Sequence, residues 1–176
     1  MSNFNVPTGQ RIERKKMLTV VEWSDGTGTS RELLGSRTED SSMEYNPDVE
    51  TITDILGVTH TEVNKTEPSQ TFDPYTLLGG SKLGPKLDDI RKRNAVAEFS
   101  QFTVYVITAY KGTAGAYEAE KHTGCTIEVT SLGGSAFMNM PINVHLSNDC
   151  NGSGAPQLGT VDKLGDDFVF TPTSVG

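Results

Sequence analysis

Residues Val49–Leu78, VETITDILGVTHTEVNKTEPSQTFDPYTLL, decide how this chain is read. Thr, Val and Ile recur there at strand spacing, yet neither alternating face is apolar enough to rest on a core of its own. Such a ribbon is held by ladder hydrogen bonds and cross-strand pairs, and an unpartnered strand invites a neighbouring chain. The expectation is a protein built to assemble. Immediately downstream, after Gly79-Gly80, the segment SKLGPKLDDIRKRN repeats Leu83, Leu87 and Ile90 at i, i+4 and i+7. That spacing predicts a one-faced helix over about 81–94 lying on a sheet, with Ser81 as its cap and Pro85 in the first turn. Arg91, Lys92 and Arg93 complement its C-terminal dipole.

Charge is concentrated in the same region. Thr38–Asp73 holds Glu39, Asp40, Glu44, Asp48, Glu50, Asp54, Glu62, Glu67 and Asp73 against Lys65 alone, which accounts for the whole formal net charge of −8. Attraction to phosphates needs an excess of Lys and Arg, so this segment disfavours adhesion to nucleic acid.

At 176 residues the chain is expected to be one domain with arms. A hydrophobic content of 35% is low for an independently stable enzyme, and the many glycines punctuate short strands and turns. Residues 1–16, with Pro7, Gly9 and the basic cluster Arg11, Arg14, Lys15 and Lys16, read as an extended N-terminal arm. Residues 17–147 form the β domain, with a hairpin or loop region over about 35–75. Residues 148–176 form a C-terminal loop and a terminal strand or arm.

Strands are predicted at Met17–Trp23, with a short return at Arg31–Leu34, and at Ser42–Asn46, Val49–Leu56, Val58–Lys65 and Ser69–Tyr75. Phe99–Tyr110 is apolar on both faces, as in the middle of a sandwich. From Ala136 the alternation puts Ala136, Met138, Met140, Ile142, Val144 and Leu146 on a core face, opposite Asn139, Pro141, Asn143, His145 and Ser147. Thr126–Leu132 pairs with this strand through Gly133-Gly134. The fold class is mainly β: a sandwich of two antiparallel sheets with one flanking helix.

No constellation for chemistry emerges. His60, His122 and His145 stand apart, and His122 and Cys125, three residues apart on a strand, are expected on opposite faces, so no metal ligand set is predicted. No nucleophile elbow is present, neither Cys125 nor Cys150 has a basic neighbour, and Gly79-Gly80-Ser81-Lys82 lacks the phosphate-loop spacing. Trp23 is the only tryptophan, which is thin for a sugar cleft. The reading is a non-enzyme with no cofactor. No run is long and apolar enough to span a bilayer, and the N-terminus MSNFNVPTGQ has no apolar signal region, so synthesis in a reducing cytosol is expected.

The order of an acidic, Thr-rich hairpin, the DPYTL segment leading to a Lys/Arg-ended helix, a long core strand and an alternating hairpin resembles the major tail protein, or tail tube protein, of long-tailed bacteriophages. The resemblance runs over Ile52–Asp149. It implies a tail-tube β-sandwich whose subunits form hexameric rings stacked into a tube, with a barrel-lined lumen and a hairpin reaching the next ring. It further implies a virion protein made in the host bacterial cytoplasm, with tape measure, tail terminator and baseplate or distal tail proteins as partners. Double-stranded DNA would pass through the lumen without specific binding. Asp48, Glu50, Asp54, Glu62 and Glu67 are the candidate lumen or inter-ring acids, and Arg11, Arg14, Lys15 and Lys16 the candidate arm contacts. The alternative of another class is a non-enzymatic β-sandwich binding module on a virion or cell surface, such as an adhesin or decoration protein.

Overall fold

Phe102–Thr113 (β7) is the strand around which the molecule is organised, because its β-branched and aromatic residues are apolar on both sides. The computed structural model describes residues 4–147 and 154–173. Before β7 come β1 (Met17–Ser24), β2 (Thr29–Leu33), β3 (Met43–Glu44), β4 (Pro47–Thr53), β5 (Thr59–Thr66), β6 (Ser69–Phe72) and α1 (Leu83–Arg93). After it come β8 (Ala116–Val129), β9 (Ile142–His145), β10 (Gln157–Val161) and β11 (Phe170–Pro172). Among the described residues the strands form a nine-stranded sheet in the order β2-β1-β7-β8-β9-β6-β3, with β10 and β11 added beside β8, and a separate β4-β5 ribbon. Every pairing is antiparallel.

The large sheet folds over on itself at β8. The first part of β8 pairs with β7 and β10, whereas Thr126–Val129 pairs with β9. Between the two parts, β8 advances from His122 to Cys125 while β7 steps only from Val104 to Phe102, a bulge in which Gly124 takes φ 70°. The β9-β6-β3 layer then lies against the β1-β7 layer. Val21, Trp23, Phe102, Val104 and Val106 meet Phe72, Ile127, Ile142 and Val144 between them, and α1 closes the end with Leu83, Leu87 and Ile90. Fully burying one such side chain is worth about 1.5–3 kcal/mol. A buried side-chain hydrogen bond crosses this core, from Thr19 Oγ1 to Gln70 Oε1 at 2.7 Å. The chain is thus mainly β with one helix, as expected, but its two main layers are halves of one continuous sheet. The second hydrogen-bonded sheet is the ribbon.

The opposite face of β7 is also covered. Val20, Tyr105, Ile107 and Ala119 pack under Val161 and Phe168 from the C-terminal segment. Arg31 lies over the Phe168 ring, 4.3 Å from its centroid, and pairs with Glu22 at 2.6 Å. Burial, and then the nearby Glu22 charge, push the Tyr105 hydroxyl up to about 12. The terminal strand is therefore part of the body.

Three local expectations change. Only Ile142–His145 of the long alternating stretch is strand. Ala136 and Met138 are exposed, in a loop closed by reciprocal backbone bonds between Gly133 and Asn139. A Cβ on Gly134 would sit 1.9 Å from the Phe137 carbonyl oxygen, so this loop needs its glycine. Ser81 does not cap α1 with its own side chain, since its hydroxyl turns to Glu32. The Gly124 bulge also reverses the alternation of β8, so His122 and Cys125 face the same layer rather than opposite ones.

Candidate functional site

The ribbon grows out of the β3-β6 end of the sheet. Asn46, at φ 42°, holds the junction by donating from Nδ2 to the Glu67 carbonyl and to Ser69 Oγ. Beyond it, every residue of β4 and β5 is exposed. Cross-strand pairing sorts the side chains onto two faces. Val49-Val63, Thr51-Thr61 and Thr53-Thr59 share one face, and Glu50-Glu62 and Ile52-His60 share the other. The turn is tied by Asp54, whose carboxylate accepts from the Leu56 and Val58 amides and lies 3.2 Å from His60 Nε2. These contacts, the Val58 amide first, hold its carboxyl below the ordinary value.

Of the five acids predicted to matter, the fold brings Glu50, Glu62 and Asp54 onto one face. Glu50 and Glu62 stand directly opposite each other, a like-charge pair that weakens the isolated ribbon. Asp48 and Glu67 stay at the base around Lys65, whose Nζ lies 2.5 Å from Glu67 Oε1. At the tip, Ile55 and Leu56 are 103% and 83% exposed, and Val49, Ile52, Val58 and Val63 are exposed along the shaft. The sequence reading did not single out this apolar tip. Its signal was there: the adjacent aliphatics Ile55 and Leu56 in the turn after Asp54, where polar residues are the norm.

The N-terminal segment lies along its own subunit. Phe4 bridges Lys111, and Asn5 donates from its amide to Tyr110 O and from Nδ2 to Ala109 O and Gly112 O. Arg14 is committed internally, bonding Ser41 O through Nε and Nη2 and Met17 O through Nη1. Lys15 pairs with Glu13 on the surface, and the Lys16 amide donates to the Glu13 carbonyl, while the side chains of Arg11 and Lys16 form no hydrogen bond or ion pair among the described residues. Arg14 and Lys15 border a groove floored by Leu18, Leu33, Leu34 and Phe72. The basic end of α1 is likewise spent. Arg91 and Lys92 bind Asp88, and Arg93 binds Asp89 and Glu98.

Among the described residues no group of three or more His, Cys, Asp or Glu converges, and no helix is long and apolar enough to cross a membrane. Cys150 lies outside the described residues.

No protein-family model and no curated protein matches the chain.

The chemistry available at the ribbon is that of contact. It offers two unpartnered faces, one Thr/Val-rich and one acidic, and an apolar tip, all carried on a two-stranded ladder.

Proposed function

We propose that the protein is the building block of a phage tail tube: a structural subunit that forms stacked hexameric rings around an acidic DNA conduit. The observation that carries this reading is the β4-β5 ribbon, a hairpin exposed on both faces that holds an unusual density of acid and ends in Ile55 and Leu56. A free-standing two-stranded ribbon is marginal in water, and a contiguous apolar tip is costly to leave wet, so a partner surface is the natural destination of both. Free edges support the same reading. Among the described residues β2, β3 and β11 of the large sheet each lack a second neighbour, and ring closure of identical copies removes such edges. The resemblance of Ile52–Asp149 to tail tube proteins supplies the kind of assembly. Tape measure, terminator and distal tail proteins are the partners this role entails.

The acid excess suits a wall along which DNA slides without counterion-release adhesion. Arg11 and Lys16, whose side chains form no hydrogen bond or ion pair among the described residues, suit a salt-sensitive inter-subunit contact. The test is negative-stain electron microscopy of the purified protein at high concentration. Rings or tubes with a duplex-wide hole are expected for the natural protein, and Ile55→Ser/Leu56→Ser should stay folded but lose tubes. Uniform monomers under all conditions, even with tail partners added, overturn the reading in favour of a monomeric binding module.

A further inference from the structure

Glu118, Glu120 and His122 occupy alternate positions of β8, so their side chains leave the same side of the sheet. That side faces a cleft of about 280 Å³ at the open end of the two layers, bordered by Met43, Tyr45, Tyr110, Lys111 and Leu146. His122 is 2% exposed. Its Nδ1 lies 2.8 Å from the Ser147 carbonyl oxygen, which can only accept, so Nδ1 carries a proton and donates. In the neutral ring Nε2 is then a lone pair, buried and unmatched by any donor among the described residues. Glu120 Oε2 stands 3.5 Å from it, and a carboxylate also only accepts. The ammonium that could have bridged them, Lys111, is engaged 3.0 Å away by Glu118.

We propose that His122 Nε2 and Glu120 form a two-ligand seat for a divalent transition-metal cation of the zinc class. Zinc bonds of about 2.0–2.1 Å at a tetrahedral angle span roughly 3.3–3.4 Å between ligand atoms, close to the 3.5 Å observed. A backbone carbonyl on Nδ1–H is the outer contact that orients metal-bound imidazoles. The molecule contains its own controls. His60 and His145 also face a carboxylate, each at 3.2 Å, but both rings are about half exposed and neither makes an Nδ1 contact among the described residues.

The test is titration of the full-length protein with zinc chloride, followed by calorimetry and by the side-chain ¹⁵N resonances of the three histidines. The His122 Nε2 resonance is expected to move at lower zinc than those of His60 and His145. Glu120→Gln should weaken that site at least about tenfold, with the thermal midpoint and the Nδ1 resonance unchanged. The same binding should persist in Cys150→Ser, which removes a competing thiol. A His122 Nε2 that is protonated and insensitive to zinc, or an affinity unchanged by Glu120→Gln, overturns the proposal. Neither result bears on tube formation.

Discussion

At the residue scale, one carboxylate joins three elements. Glu32 on β2 accepts from Tyr75 Oη, from Ser81 Oγ at 2.9 Å, and from the Lys82 and Leu83 amides at 2.5 and 2.8 Å. The last two are orphan donors at the positive end of α1, so Glu32 does from another strand what a cap does locally. Glu32→Ala should cost about 2 kcal/mol, read as a fall in the urea midpoint, and an unchanged midpoint would show that the α1 amides find other partners. The opposite end of the helix sets a pH dependence. Arg93 first, and then Lys86, hold the Glu98 carboxyl down to about 2 from an ordinary 4.5. Its charged form therefore contributes its full stability above about pH 4.5 and loses it as pH falls toward 2. Urea midpoints of Glu98→Gln should fall less steeply across that window than those of the natural protein, with the difference shrinking in high salt. The sequence marked Arg93 as a dipole partner, but not its bond to Glu98. Nor could it reveal Glu32 as the cap, because a cap supplied 50 residues away leaves no local spacing to read.

At the scale of elements, what could be read depended on whether a segment is apolar in its own right. Phe99–Tyr110 announced β7, and Leu83, Leu87 and Ile90 announced α1, because burial there follows directly from side-chain type and period. The start of β8, from Ala116 to Lys121, was missed. Glu118, Glu120 and Lys121 sit at strand positions that polar residues normally leave to loops, and they are tolerated through ion pairs and long stems. Conversely, the alternation from Ala136 to Met140 predicted strand, and the Gly133-Asn139 closure made loop. Gly124 is the point on which the folding-over of β8 turns. It has φ 70° and open space where a Cβ would go, so a substitution there meets backbone strain rather than a clash. Gly124→Val should lower stability by roughly 1–2 kcal/mol, and Gly124→Asn by clearly less, since Asn tolerates the left-handed region. Equal melting points for the two variants would show that backbone conformation is not what this position requires.

At the scale of the whole molecule, two well-packed cores hold the body together and add nothing to the ribbon, so the ribbon's sequence is free of folding constraints. That freedom is why its acids stand out in the sequence: no core explains them. It is also why their arrangement was not legible, because the Asp48/Val49 bulge, invisible in composition, sets which acids share a face. Placing Glu50 opposite Glu62 costs the isolated hairpin stability, which makes sense if the face is used for its charge. Under the tube reading, Glu50→Lys/Glu62→Lys changes the local charge by four per subunit without touching either core, so subunits should fold and assemble as before. Natural tubes should not retain duplex DNA in cosedimentation at low salt, whereas tubes of the reversed variant should, with retention falling steeply as salt rises because each neutralised phosphate releases its counterion. If natural tubes retain DNA equally well, or if reversal prevents assembly, the Glu50-Glu62 face is a subunit contact and the conduit wall lies elsewhere on the molecule.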